Sequence, residues 1–213
     1  MNEKKILAVA SVFLSIGALL LSVVLFQRTQ LVARRSTQAS LAASEWERVA
    51  SGSNVLGSPE ARNTIVVFTD YQCQACSHVD FLLGDVLTSY PGIVKIVVRN
   101  NPLRAIHPAA EKAAMAAICA GKQDMFASFH ALLFSIQDSL STPNWGAWAA
   151  LAKVPNIERF VECMESNEGR SELVEDLMLA TTLQLRRSPS IMMNGEPVGS
   201  IPSREMIVSR LLP

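Results

Sequence analysis

The chain has 213 residues, 49% of them hydrophobic, which is enough for one domain with its own core plus an apolar anchor. Lys and Arg total 19, as do Asp and Glu, and no basic stripe or acidic tail stands out. That balance gives no electrostatic reason to expect a nucleic-acid partner.

The first element in chain order is the uncharged run Ile6 to Phe26. Its length is about that of a membrane-spanning helix. A cleaved signal peptide is the competing reading, but its apolar part is shorter, about 7–15 residues, with a small-residue cleavage site close behind. Here Gln27-Arg28-Thr29-Gln30 follows instead. The expectation is an uncleaved anchor over residues 1–26, spanning 6–26. Basic residues flank both ends, so charge alone does not orient it. Residues 27–57 are polar and rich in Ser and Ala and read as a stalk, with a possible helix over Leu31 to Val49 broken at Ser51-Gly52-Ser53-Asn54.

The globular domain is expected over 58–213. Ile65-Val66-Val67-Phe68 is a β-branched run that reads as a buried strand. A helix from about Cys73 to Tyr90 follows, ended by Pro91-Gly92, and Ile93 to Val98 is a second buried strand. Strand, helix, strand implies a parallel pair with a crossover. A helical stretch of about 103–186 comes next. It holds an Ala-rich helix over Ala109 to Ala120. A second helix carries Met125, Phe126, Phe129, Leu132, Leu133 and Ile136 on one face. Thr142-Pro143 reads as an N-cap with proline at the first helical position. A short helix carrying Ile157, Phe160, Val161 and Met164 follows Pro155-Asn156, and Leu173 to Leu185 closes the group. Ser190 to Met193 and Glu196 to Val198 flank Asn194-Gly195, a strong hairpin signal, before a last helix over Ser203 to Leu211. The order is that of an α/β thioredoxin core with a helical insertion, preceded by the N-terminal transmembrane helix.

Cys73-Gln74-Ala75-Cys76 sits directly after a strand and opens a helix. Free backbone N–H groups and the positive end of the helix dipole both favour a thiolate there. Cys73 is therefore the expected nucleophile, with a pKa in the ~3.5–7.5 range of such motifs, and Cys76, one turn inward, the resolving thiol. Three readings compete for the pair. The first is a redox-active dithiol. The second is a metal site completed by His78, although no second CxxC or His pair supplies a zinc set. The third is a purely structural disulfide, which in so short a loop would stabilise little. Cys119 and Cys163 lie on separate predicted helices and could meet across a helix pair; two buried free thiols are the alternative. His107 reads as a helix-start or packing residue, His130 as packing or surface, and Met192-Met193 as core rather than copper ligands.

The segments Leu56-Gly57-Ser58-Pro59-Glu60-Ala61 and Val67-Phe68-Thr69-Asp70-Tyr71-Gln72-Cys73-Gln74-Ala75-Cys76 resemble the DsbA-like thioredoxin-fold thiol–disulfide oxidoreductases. So do His107-Pro108 before the Ala-rich helix ending in Cys119-Ala120, Phe160-Val161-Glu162-Cys163, and Arg187-Ser188-Pro189-Ser190 before Met193-Asn194-Gly195. The resemblance covers roughly Gly57 to the C-terminus. It implies a protein-disulfide oxidoreductase with Cys73 and Cys76 catalytic and no cofactor or metal. It also implies a cis Pro189 facing the pair, Ser188 offering backbone groups to an extended substrate strand, and Cys119 joined to Cys163. The implied setting is the periplasm or outer face of the inner membrane. The implied partners are exported proteins with thiols or disulfides and a membrane redox partner.

Two departures stand out. Gln74-Ala75 is neither the dipeptide of the oxidases nor that of the reductases, so it does not set redox direction. Many relatives carry a buried carboxylate six residues before the first cysteine, where this chain has Val67. The first hypothesis is an enzyme that forms or exchanges disulfides in exported proteins, with donation favoured over reduction. A copper-binding, metallochaperone-like protein using the same thiols is the second, and a redox-inert scaffold beside a partner the third.

Overall fold

The computed structural model describes residue 17 and residues 19–27, 45–199 and 201–212. Residues 19–27 are helical, and most of the apolar run Ile6 to Phe26 lies outside the described residues, as do residues 28–44 of the expected stalk. Among the described residues no helix is long and apolar enough to cross a membrane. The chain divides into two compact units, Met1–Glu45 and Trp46–Pro213. The second carries the fold that follows.

Five strands form one sheet: β1 (Val55–Gly57), β2 (Asn63–Thr69), β3 (Val94–Asn100), β4 (Ser190–Met193) and β5 (Glu196–Gly199), in the order β1-β3-β2-β4-β5. β2 and β3 are parallel, joined through helix α1 (Gln74–Ser89), and every other pairing is antiparallel. The register sets Val67 opposite Val98 on one side and Ile191 on the other. A strand covered on both faces reads as a continuous apolar run rather than an alternating one, which is why Ile65 to Phe68 shows no period of two. Ile65 and Val67 enter one core with Val79 and Leu83 of α1, while Val66 and Phe68 enter another with Val49, Leu179 and Ala180.

Among the described residues the unit also holds the helices α2 (Ala110–Gly121), α3 (Phe126–Ser135), α4 (Trp145–Leu151), α5 (Ile157–Glu165), α6 (Asn167–Thr182) and α7 (Arg204–Leu211), and residues 46–50 are helical. A 3-10 turn, Gln137–Ser139, follows α3. α2 through α6 are the insertion. Phe129 of α3 and Phe160 of α5, both fully buried, stack with ring centroids 5.3 Å apart. Burying such a side chain contributes about 1.5–3 kcal/mol. The hairpin turns at Asn194 (φ 49°) and Gly195 (φ 89°), the two positive φ values that Asn-Gly accommodates.

Three sequence-based boundaries move. Residues 46–57 belong to the compact unit rather than to a stalk: Val49 is fully buried, and β1 pairs along the β3 edge. The buried Arg99 guanidinium holds this stretch, donating to the Arg48 and Val49 carbonyls and to Asp176 of α6. The cap of α4 is Asn144, whose side chain accepts from Ala147 N–H, so Thr142-Pro143 precedes the helix instead of opening it. α6 starts at Asn167, capped by Ser166, six residues before the first apolar residue of the expected pattern.

Candidate active site

β2 ends at Thr69, and four residues turn the chain into α1. Asp70 builds that turn. Its carboxylate is buried and accepts from Gln72 N–H (2.8 Å), from Leu103 N–H (2.7 Å) and from His107 Nδ1 (2.8 Å). Cys73 is the N-cap of α1, half-buried, and no side chain caps the helix there. The open N–H groups of the first turn thus surround the cysteine that starts it. Cys76 lies one turn on, 1% exposed. Both thiols are free.

The two sulfurs sit in different surroundings. Burial pushes the Cys76 thiol well up, and the neighbouring Cys73 adds to this; hydrogen bonds from the Thr69 hydroxyl and the Asp70 N–H pull the other way but do not win. Thr69 shares its strand face with Val67 by the two-residue period. The hydroxyl therefore stands one step further along β2 from the position where a carboxylate is missing.

From the far side of the sheet the chain returns through Ser188–Pro189, a cis peptide, into β4. The Cys73 thiol donates to the Ser188 carbonyl oxygen at 3.4 Å. Ser188 is anchored in turn, its hydroxyl donating to Asn101 O at 2.7 Å. Cys73, Cys76, Ser188 and Pro189 are thus brought to one end of the sheet. Cys119 and Cys163 are joined to each other across α2 and α5, with Cα atoms 5.7 Å apart. His78 is exposed on α1. Among the described residues no group of three His, Cys, Asp or Glu side chains is placed to hold a metal ion.

Several contributors were not legible beforehand. His107, read as a helix-start residue, also partners the buried Asp70. His130, read as packing or surface, is 3% exposed and bonded through both ring nitrogens, to the Tyr71 hydroxyl at 2.8 Å and to Asp80 Oδ1 at 2.7 Å. Burial, then the charges of Asp80 and Asp176, keep the Tyr71 hydroxyl protonated well past its ordinary range. A polar ring on the apolar face of Phe126, Phe129 and Leu133 was the available signal, since a buried imidazole needs partners. Gln137, in the turn after α3, carried no signal at all.

A family model described as Thioredoxin matches residues 50–209. The chain belongs to the thioredoxin family. Its fold is the DsbA-like form of it. BdbD from Bacillus subtilis, in its oxidised form, is similar with a TM-score of 0.66 and 22% identity, over 74% of this chain and 90% of that one. The thiol-disulfide exchange protein α-DsbA2 from Wolbachia pipientis is similar with a TM-score of 0.67 and 14% identity, over 84% and 96%. The catalytic domain of Proteus mirabilis ScsC gives 0.65 and 19%, over 80% and 97%. Among curated proteins, the Na(+)/H(+) antiporter NhaA 3 of Salinispora tropica is 30% identical over 142 residues, which are 67% of this chain and 22% of that protein. This thioredoxin-family chain thus spans about a fifth of the length of the curated relatives it matches.

Proposed function

We propose that this chain is a protein-disulfide oxidoreductase in which Cys73 and Cys76 exchange a disulfide with the thiols of exported proteins. The observation that carries the reading is the position of Cys73: half-exposed at the open start of α1, its sulfur against the Ser188 carbonyl beside Pro189, with Cys76 buried one turn behind. In the donating direction a substrate thiolate attacks the Cys73 sulfur of the oxidised pair. The Cys73–Cys76 bond breaks, and Cys76 takes the electron pair and a proton. A second substrate thiolate then attacks the substrate sulfur of the mixed disulfide and expels Cys73. Two electrons pass to the protein, Cys76 gains a proton, Cys73 leaves as thiolate, and the substrate, whose thiols gave their protons to solvent, gains one disulfide. Ser188 and Pro189 offer the edge on which an extended substrate strand lies.

The uncharged run Ile6 to Phe26 serves in this reading as a single-pass anchor in the inner membrane, with the domain on the outer side beside a membrane redox partner. The joined Cys119–Cys163 pair supports an oxidising compartment.

Reoxidation of a reduced, unfolded test protein by the oxidised chain, followed with single-cysteine variants, tests the chemistry. Activity that survives Cys73→Ser sinks it. Activity of a reporter fused after Pro213 only when exported, with residues 1–26 still attached by mass, tests the anchor. A mature chain beginning after Phe26 contradicts it.

A further inference from the structure

The helical insertion reaches the redox loop at one point that the exchange chemistry leaves unexplained. The Gln137 side-chain amide, half-buried in the turn after α3, donates through Nε2 to the Tyr71 carbonyl at 2.8 Å and to the Cys73 carbonyl at 3.1 Å. The same Cys73 carbonyl receives the N–H groups of Cys76 (3.0 Å) and Ser77 (3.2 Å), so the amide joins the first turn of α1 as a third donor. A primary amide has two N–H donors and so can serve both carbonyls at once. The Tyr71 side chain is gripped by the same insertion through His130 of α3. Main chain and side chain of one short segment are therefore held by residues 59 or more positions away.

We propose that Gln137 is a positioning residue of the redox site: by clamping the Tyr71 and Cys73 carbonyls it keeps the Cys73 sulfur at the open N-terminus of α1 and tilts the thiol–disulfide equilibrium toward the dithiol. The inference rests on the reading of Cys73 and Cys76 as the exchanging pair. An amide donor on the Cys73 carbonyl adds positive partial charge to the backbone turn whose sulfur attacks, or is expelled, as thiolate during exchange. In a partly buried site such a dipole acts with little screening. Whatever stabilises the reduced form makes the pair a stronger oxidant. The role is distinct from merely satisfying two carbonyls, because that alone would stabilise oxidised and reduced protein equally.

Two variants and one equilibrium separate these roles. Gln137→Met keeps length and volume and removes the donor; Gln137→Glu sets a carboxylate against two carbonyls. The full-length protein is equilibrated with glutathione, the Cys73 alkylation rate is followed against pH, and thermal midpoints are recorded for both redox forms. Gln137→Met is expected to move the equilibrium constant three- to tenfold toward the disulfide, up to about 30 mV for a two-electron couple. Its alkylation profile should move to higher pH, and Gln137→Glu should move both further. Variants with lowered midpoints but a wild-type equilibrium constant and profile overturn the proposal and leave Gln137 a structural contact. If neither variant folds, the wild-type side-chain amide resonances decide. They should shift between redox forms and through the pH range of Cys73 alkylation, and unmoved resonances overturn the proposal. A wild-type protein that forms no reducible Cys73–Cys76 bond fails earlier, at the underlying reading.

Discussion

The two cysteine pairs of this chain occupy two regions that treat the same atom in opposite ways. Cys73 and Cys76 share one helix, the first at its open end and the second buried. Cys119 and Cys163 are buried on facing helices, where they are joined, and the backbone of Gly169 passes so close that a Cβ there would meet the two sulfurs at 3.1 and 3.4 Å. Around the first pair lie donors and acceptors: Thr69, the Asp70 N–H, the Ser188 carbonyl. The second lies in the main core cluster, with Phe129 and Phe160. One surrounding lets a sulfur meet a partner; the other leaves nothing for it to react with but its mate. In the proposed function, reactivity follows from where a pair sits on its helices, and spacing in sequence is only the readable trace of that.

The sharpest break of this contrast is to remove each pair in turn. Cys73→Ser should reduce disulfide exchange to the uncatalysed background, with a thermal midpoint near wild type. The double variant Cys119→Ala, Cys163→Ala should do the reverse. Its cross-link spans 44 residues, and losing such a loop costs about 4 kcal/mol in the chain-entropy model. Exchange at 25 °C should survive. Denaturant unfolding and turnover of reduced test protein, measured on both variants, check the contrast; a double variant that keeps its stability or loses its exchange would dissolve it.

The regular part of the fold was legible because it depends on local chemistry. Asn194-Gly195 dictates its own turn, and Asn156 and Ser203 cap helices through their own side chains. β1 was missed because three residues on a sheet edge have no period to read, and Thr142-Pro143 looked like a cap because Asn144, two positions on, does the same chemistry equally well. In the site, the CxxC spacing was visible, whereas Asp70 with His107, Tyr71 with His130, and Gln137 with two carbonyls join residues 37 to 66 positions apart. Such pairs exist only once the insertion has folded back over the core, and residue type alone did not announce them.

A smaller effect distinguishes the two members of the Cys73–Cys76 pair. Cys76 has its thiol pushed up by burial, so at neutral pH it is protonated, and the thiolate fraction grows about tenfold per pH unit until the raised value is reached. When a substrate disulfide is reduced, Cys76 must attack the mixed disulfide as thiolate. Release of a Cys73-linked mixed disulfide, timed by stopped flow, should therefore keep accelerating from pH 6 to pH 9. A plateau below pH 8 would mean that the thiol is not held up in the mixed disulfide.

The smallest expected effect concerns Val67. It is 6% exposed, on the face of β2 that meets α1, one strand period before Thr69. A carboxylate there could take the Cys76 proton; a valine cannot, and the Thr69 hydroxyl can hand on a proton but does not keep one at neutral pH. Reduction should therefore be the slow direction for this chain. Oxidation is less affected, because there the attacking thiolate comes from the substrate. Val67→Glu should speed insulin reduction several-fold while leaving oxidation of a reduced test protein within a factor of about two, since the new base acts only where Cys76 must ionise. It should also lower stability, because a carboxyl placed between Val98 and Ile191 loses its water for few partners. That cost is separable from the rate effect by Val67→Gln, which buries a polar group of the same size without a base. Both variants should unfold earlier than wild type, and only the glutamate should reduce insulin faster. Equal reductase rates in the two variants would put the proton acceptor elsewhere, in water or in another group such as Asp70, whose N–H bonds the Cys76 sulfur.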